Sequence, residues 1–91
     1  QLSDISIERC TFEQKIKPAL YLKNCYNISL NDNKFIKKGI ISSMIYINNS
    51  VLVKGCNNIF SWPGASLKNA IKTGKDNAGT VPVFTNSTFT R

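Results

Sequence analysis

Side chains that could carry out chemistry are few in this chain. Its 91 residues include no histidine, three cysteines and five acids. The acids are Asp4, Glu8, Glu13, Asp32 and Asp76. A typical glycosidase places two carboxyl groups roughly 5 to 10 Å apart around the bond that it cleaves. Chemistry of this kind would need two of these five acids, or acids from outside these 91 positions.

Asp32 is the acid that the sequence places closest to a cation from another repeat. The repeats described below put Asp32 above Arg9 on an outer face, and Glu8 precedes Arg9 directly. The arrangement could be an acid beside a sugar-binding arginine, or a surface ion pair that contributes little to stability. Asp32 is therefore a catalytic candidate and Arg9 a carbohydrate-binding candidate, with the ion pair as the alternative.

The three cysteines are predicted to be buried reduced thiols that fill small apolar spaces. Cys10 and Cys56 are expected in one column two repeats apart, at roughly 9.6 Å by the spacing of strands in a sheet. That separation exceeds the roughly 7 Å Cα limit of a disulfide, and Cys25 belongs to another corner. Without histidine or a Cys-x-x-Cys spacing, the sequence predicts no metal site and no cofactor.

The elements that would position these side chains repeat along the chain. The segment Ile5–Phe12 matches Ile28–Phe35 in type at six of eight positions, at an offset of 23 residues. Val51–Ile59 continues the series 23 residues further on, and Val81–Phe89 repeats that form at an offset of 30. Apolar residues alternate with polar ones within each unit, which is typical of half-buried β-strands.

A second series of strands keeps step with the first. Leu20–Cys25 is echoed by Ile45–Ser50 and more weakly by Ser66–Ala70. A short third strand is predicted at residues 15–17 and 39–41, and an inserted loop rich in turn-forming residues at about 71–80. A 23-residue unit of this kind is one coil of a β-solenoid, in which successive coils stack to bury their inner faces.

Stacking places equivalent residues in columns. Ile5, Ile28 and Val51 are predicted to form one inward column. The other predicted inward residues are Ile7, Leu30, Val53, Leu20, Leu22, Ile45, Ile47 and Leu67.

Eleven asparagines fall largely at strand ends. Asn24, Asn49 and Asn69 are predicted to share one corner column. Asn33 and Asn86 are predicted to share the column of Cys10 and Cys56. Asparagine tolerates the left-handed conformation that a sharp corner requires, and stacked copies can bond one another. The columns therefore predict asparagine ladders.

The phrases ISIERCTF, ALYLKNCYNISLNDNKF and VLVKGCNNIF resemble the coils of right-handed parallel β-helix proteins of the pectin-lyase-like superfamily. The resemblance covers residues 5–59 well and 67–89 loosely. It implies an all-β fold of three to four coils. The competing fold is a small antiparallel β-barrel or sandwich, but such folds favour Asn-Gly and Asp-Gly hairpins, and neither dipeptide occurs here.

The resemblance implies part of a glycoside hydrolase or polysaccharide lyase that acts on or binds carbohydrate, located in the secreted, periplasmic or cell-surface compartment. The superfamily also includes non-catalytic adhesins, tailspike-like proteins and structural solenoids. The sequence lacks the Asn-Thr-Asp, Asp-Asp, Gly-His-Gly and Arg-Ile-Lys signatures of polygalacturonases. We therefore expect that most catalytic residues of such an enzyme would lie outside this chain.

Three aromatic residues are candidates for carbohydrate binding. Tyr21 and Tyr46 occupy equivalent outward positions and could form a platform for sugar rings, or a cross-strand pair that only stabilises the sheet. Trp62 lies in a Ser-Trp-Pro-Gly turn, where it could anchor a loop or stack on a sugar.

A net charge of +7 favours anionic partners. Lys15, Lys17, Lys37 and Lys38 are predicted to form a basic patch on one side of successive coils, suited to acidic polysaccharide. The alternative is an ordinary solvated surface. The sequence argues against nucleic acid, because no binding motif is present and the lysines are not interleaved with aromatic residues.

The whole chain, residues 1–91, is predicted to be one β-helix domain or a fragment of a longer β-helix. No apolar run approaches the roughly 18 residues of a membrane-spanning helix. Neither end shows a cap, so we expect the ends to meet the remainder of a parent chain, a companion chain or a second copy.

Overall fold

Three parallel β-sheets wind around a common interior in the computed structural model, which describes residues 2–75 and 81–90. Sheet A contains β1 (Leu2–Glu8), β4 (Cys25–Asn31), β7 (Val51–Cys56) and β10 (Val83–Thr85). Sheet B contains β2 (Thr11–Gln14), β5 (Lys34–Lys37), β8 (Ile59–Ser61) and β11 (Thr88–Thr90). Sheet C contains β3 (Leu20–Lys23), β6 (Ile45–Asn48) and β9 (Ile71–Thr73), and one helical turn, α1 (Leu67–Ala70), precedes β9.

All strand pairs are parallel and join one coil to the next. The chain is therefore a β-solenoid of about three turns, which confirms the predicted all-β fold and excludes an antiparallel barrel or sandwich for the described residues. The right-handed sense of the solenoid stays a prediction, in line with the handedness of parallel crossovers.

The third coil is shifted by two residues from its predicted register. Ile5 pairs with Ile28 as expected, but Ile28 pairs with Val53 and not with Val51. Val51 lies beside Tyr26 and is 43% exposed, so its assignment to the core was wrong. The two additional residues lie in the corner between β5 and β6, which is longer than the corner between β2 and β3.

The last coil is displaced by one residue from the predicted offset of 30. Val83 pairs with Lys54 and Phe89 with Phe60, an offset of 29. Packing fixes this register, because the ring of Phe84 occupies the space above Gly55. A methyl group at Gly55 would lie 2.5 Å from two ring atoms of Phe84.

Sheet B corresponds to the predicted short third strand, but it lies earlier in each coil than predicted. Its strands begin at Thr11 and Lys34, because each unit of the first series bends at a corner and contributes to two sheets. Residues 15–17 and 39–41 are connections and not strands. Ile16 is 76% and Ile40 is 90% exposed.

The third strand of sheet C is also later than predicted. Ile45 pairs with Ile71, whereas Ser66 and the residues after it form a turn and α1. Asn69 accepts a hydrogen bond from the Ser66 backbone N–H (2.9 Å) and does not share a column with Asn24 and Asn49. Of the predicted inserted loop at 71–80, residues 71–73 are β9 and residues 76–80 lie outside the described part of the chain.

A ladder of phenylalanine rings runs through the interior. Phe12, Phe35, Phe60 and Phe89 stack with centroid separations of 5.0, 5.3 and 5.0 Å. Each strand of sheet B contributes one ring. The other fully or nearly buried apolar residues of the described chain are Cys25, Ile28, Leu30, Ile41, Met44, Ile45, Ile47, Val53 and Ala70.

Buried asparagines join the coils at the corner between sheets A and B. Asn33 Oδ1 accepts the N–H of Cys10 (3.0 Å), and its Nδ2 donates to the carbonyl of Ile7 (3.0 Å). Asn58 makes the same two bonds one coil further along. Its Oδ1 accepts the N–H of Asn33, and its Nδ2 donates to the carbonyl of Leu30. The predicted asparagine ladder exists, but two of its members differ. Asn58 occupies the position predicted for Cys56, and Ser87 occupies the position predicted for Asn86.

Nine described residues other than glycine have positive φ, and all of them fall in three columns. One column, Asp4, Asn27 and Leu52, lies within the strands of sheet A, and the other two lie at corners, namely Arg9, Asp32, Asn57 and Asn86, and Asn24 and Asn49. Asparagine and aspartate tolerate this left-handed conformation, which explains why seven of the nine are asparagine or aspartate. Asn49 Nδ2 donates to Asn24 Oδ1 (2.6 Å), as predicted for a stacked corner.

Replacing the buried amide of Asn33 should cost more than replacing an outer amide. Asn33→Ala leaves the N–H of Cys10 and the carbonyl of Ile7 without partners, so we expect a loss of about 2 to 4 kcal/mol in the free energy of unfolding. Urea denaturation measures it. Asn31→Ala, on the outer side of the same strand end, is the control and should cost much less. Equal losses would contradict the ladder.

Leu52 lies within β7 and shares the left-handed backbone conformation of Asp4 and Asn27 in its column, but its branched side chain tolerates that conformation less well. Its φ of 57° and its 52% exposure place a branched side chain in the left-handed region with little burial to offset it. Leu52→Asn, which copies Asn27 in the same column, should stabilise the fold by about 0.5 to 1 kcal/mol. Leu52→Ala removes the same side chain without relieving φ. A thermal unfolding midpoint no higher for Leu52→Asn than for Leu52→Ala would count against this interpretation.

Candidate functional site

The outer face of sheet C carries a stacked pair of tyrosines, Tyr21 and Tyr46. We call these two residues, together with Lys23 and Lys72, the tyrosine face. The rings of Tyr21 and Tyr46 lie 5.0 Å apart with an interplanar angle of 21°. Lys72 follows in the same column, opposite Tyr46. The predicted equivalence of the two tyrosines is confirmed.

Stacking determines what the two tyrosines offer to a ligand. One face of Tyr21 stacks on Tyr46. Tyr21 is 60% exposed, whereas Tyr46 is half-buried between its two neighbours. Tyr21 is therefore the more accessible of the two rings.

The corner between sheets B and C holds the predicted basic residues, and we call it the basic corner. The backbone N–H of Lys38 donates to the carbonyl of Gln14 (2.7 Å), which places Lys38 directly above Lys15. Lys17 is exposed nearby, three residues before β3. Lys37 lies at the end of β5 opposite Gln14 and is half-buried, so it does not join the stacked pair.

Hydrogen bonds from Gln14 stabilise the backbone of the basic corner. Its buried amide nitrogen donates to the carbonyl of Lys17 (2.9 Å) and to that of Ser43 (3.3 Å). Gly39 completes the corner, because a Cβ atom there would lie 2.4 Å from the carbonyl oxygen of Lys15. These contacts therefore hold the backbone that carries the lysines of this corner in one conformation.

Arg9 and Asp32 lie at a different corner, between sheets A and B. They share a column as predicted, but the observed ion pair joins Arg9 to Glu8 at 3.2 Å. Glu8 also accepts a hydrogen bond from the hydroxyl of Ser6 (3.1 Å). The Arg9 side chain is 76% exposed, so the pair contributes little to stability. These residues cannot form one site with the tyrosine face, because a different sheet carries each group.

Trp62 anchors a turn. It is half-buried and packs against the core, and its carbonyl accepts the N–H of Ala65 (3.1 Å). This position fits the anchoring alternative, and sugar stacking by Trp62 stays a prediction.

A groove on the outer face of sheet A was missed by the sequence analysis. It encloses about 230 Å³ and is lined by Ser29, Asn31, Lys54, Gly55, Cys56, Val83 and Thr85. Lys54 donates to Asn27 (2.5 Å), which in turn donates to Asp4 (2.8 Å). The groove was missed because the predicted register of the third coil was wrong by two residues. Lys54 and Cys56 pair with Ser29 and Asn31 only at the observed offset.

The cysteines are free, as predicted, but only Cys25 is buried. Cys10 is exposed, and Cys56 is half-buried above Asn31. The burial predicted for these two was wrong. The shifted register places Cys56 beside Asn31 and puts Asn58 in the column of Cys10 and Asn33. Cys10 is the exposed member of that column, in the first described coil. Within residues 2–75 and 81–90, no three histidine, cysteine, aspartate or glutamate side chains cluster closely enough to hold a metal ion.

No helix in the described ranges is long and apolar enough to cross a membrane. Comparisons with protein-family models, with curated proteins and with solved structures found no match. The solenoid architecture itself is shown by the strand pairing, and the resemblance to pectin-lyase-like coils rests on the sequence phrases alone.

The three thiols should react with Ellman's reagent in a fixed order under native conditions. Cys10 should react first, Cys56 more slowly, and Cys25 only on unfolding, because reagent access follows exposure. Stopped-flow absorbance separates the phases. Cys10→Ser should remove the fast phase, and Cys25→Ser should leave it intact. Slow labelling of all three thiols would contradict the exposure of Cys10.

Proposed function

We propose that this β-solenoid binds extracellular acidic polysaccharide, without catalysing its cleavage, through the tyrosine face and the basic corner. The observation that carries the proposal is that the stacked pair of Lys15 and Lys38 lies beside the sheet that bears the exposed ring of Tyr21. The proposal includes a secreted, periplasmic or cell-surface location.

The charge distribution favours a polyanion. The side chains at the described outward positions of sheet C are basic or uncharged, namely those of Tyr21, Lys23, Tyr46, Asn48 and Lys72. At the adjacent corner, like charges stack one coil apart, which is unfavourable unless counter-charge is present. A chain of carboxylate or sulfate groups running along the solenoid axis would supply that charge.

The exposed tyrosine supplies the second kind of contact. Aromatic rings bury large areas of apolar surface, and the phenolic hydroxyl adds a hydrogen-bonding group at the edge. The C–H face of a pyranose ring can pack on the exposed ring of Tyr21, while its hydroxyl groups bond to Lys23 and to water. Sugar rings and charged groups then meet different parts of one surface.

A second candidate function is that of a hydrolase or lyase to which this chain contributes part of the binding surface. Its supporting observation is the column of Arg9 and Asp32, in which Glu8 pairs with the Arg9 guanidinium group and Asp32 lies one coil further on. The full-length protein's activity against acidic and neutral glycans tests it. Activity that survives Asp32→Asn would remove Asp32 from any catalytic role.

The polyanion proposal predicts a salt-dependent affinity that maps to two sites. In binding assays with polygalacturonate, Lys15→Gln/Lys38→Gln should weaken binding at least fivefold and reduce its dependence on salt, because two ionic contacts are lost. Tyr21→Ala should weaken it severalfold at any salt concentration, because the ring contact is not ionic.

The matched control is Lys34→Gln/Lys54→Gln, which removes the same charge from sheets B and A. Uncharged dextran is the control ligand for the ionic contacts. Equal losses for the two double variants would show that only net charge matters, and would contradict a defined surface. Polygalacturonate binding unaffected by Tyr21→Ala would contradict the ring contact.

A further inference from the structure

Ile40 is the most exposed of the large apolar side chains in the described chain. It is 90% exposed, whereas the next residue, Ile41, is buried in the core. Ile40 lies in the connection between β5 and β6, and each of these strands pairs with a strand on both sides. Its exposure therefore comes from the course of this connection in an interior coil, and not from the ends of the solenoid.

A second exposed isoleucine belongs to the same corner. Ile16 is 76% exposed and follows Lys15 directly in the preceding coil. Lys38 lies above Lys15, and Ile40 follows Lys38 by two residues. The two connections touch at Gly39, because a Cβ atom there would overlap the carbonyl oxygen of Lys15. Both isoleucines are therefore part of the basic corner.

The connections between sheets B and C contain no acidic residue. They cover residues 15–19, 38–44 and 62–66, and the first two contribute three exposed lysines. The acid nearest to them in sequence is Glu13, which lies on the outer face of sheet B. The third connection contributes an exposed proline, Pro63. The corner therefore combines positive charge with exposed apolar side chains.

This combination suits the surface of an anionic membrane. Apolar side chains enter the boundary between headgroups and acyl chains, while lysines attract the acidic headgroups. An acidic polysaccharide supplies charge but no apolar interior, so it accounts for the lysines and not for Ile16 and Ile40. The isoleucines extend from connections and do not line a groove, which suits a fluid lipid surface better than a shaped protein partner.

We propose that the basic corner is a membrane-contact site that docks the solenoid on an anionic lipid surface. Ile16 and Ile40 insert between the headgroups, and the exposed lysines of the corner lie against acidic headgroups. Two short apolar side chains and a few charges give a reversible attachment. The contact goes beyond the proposed glycan binding. It shares lysines with that site but does not use Tyr21, so each proposal can fail alone.

The test measures sedimentation of the 91-residue chain with vesicles. Equimolar phosphatidylserine and phosphatidylcholine supply the anionic surface, and phosphatidylcholine alone supplies the neutral one. We expect binding to anionic vesicles that Ile16→Ser/Ile40→Ser weakens by about tenfold or more, because two apolar side chains no longer leave water. Lys15→Gln/Lys38→Gln should weaken it about fivefold per lysine. Neutral vesicles should bind the original chain much more weakly.

Val51→Ser/Ile59→Ser is the matched control, because it removes two exposed β-branched side chains from sheets A and B. It should leave vesicle binding unchanged. Ile40→Trp provides an independent readout. Its fluorescence should shift to the blue on anionic vesicles and be quenched by brominated lipid, more than that of the original chain with Trp62 alone.

Polygalacturonate binding separates this proposal from the glycan proposal. Ile16→Ser/Ile40→Ser should leave polygalacturonate binding unchanged, whereas Tyr21→Ala should weaken it without affecting vesicle binding. Vesicle binding by a chain that does not bind polygalacturonate would overturn the glycan proposal alone. Polygalacturonate binding by a chain that does not bind anionic vesicles would overturn the membrane contact alone.

Three further outcomes would overturn the membrane contact. They are equal losses for the two double serine variants, equal binding to anionic and neutral vesicles, and unchanged fluorescence of Ile40→Trp on anionic vesicles. Polygalacturonate binding weakened by Ile16→Ser/Ile40→Ser would assign the isoleucines to the glycan site and would likewise overturn it.

Discussion

The fold depends on hydrogen-bond partners for the buried backbone N–H and C=O groups at its sharp corners. A strand within a sheet bonds to the coils above and below, but a corner breaks that ladder. In this chain, the amides of Asn33 and Asn58 replace the missing bonds between successive coils at the corner between sheets A and B. Ser50 does the same for the N–H of Cys25 at the corner between sheets C and A.

The same constraint explains the backbone conformation of the corners. Left-handed residues recur in columns, because each coil must turn at the same place for its strands to stay in register. Stacking then transfers the repeat to the surface. Tyr21 lies below Tyr46, and Lys15 lies below Lys38. A solenoid of this kind displays linear arrays of like side chains, a geometry suited to extended ligands.

Corners also separate the candidate sites from one another. The Arg9 column lies between sheets A and B, while the tyrosine face and basic corner lie on and beside sheet C. The groove of sheet A lies on a third face of the solenoid.

The sequence by itself determined the solenoid, because alternation of apolar and polar residues at a near-constant interval has few other solutions. It also placed Ile5 on Ile28, Tyr21 on Tyr46 and Asn24 on Asn49. These pairs are fixed by local pattern and by the tolerance of asparagine for left-handed corners.

Only the tertiary structure decided the registers of the third and fourth coils. Connections of different length absorb extra residues without changing the local pattern, so Val51 and Val53 are equivalent until packing selects one. The fit of Phe84 over Gly55, and the stacking of Phe60 between Phe35 and Phe89, select the observed registers. The groove of sheet A follows from those registers, since side chains from different coils create it only once the coils are stacked.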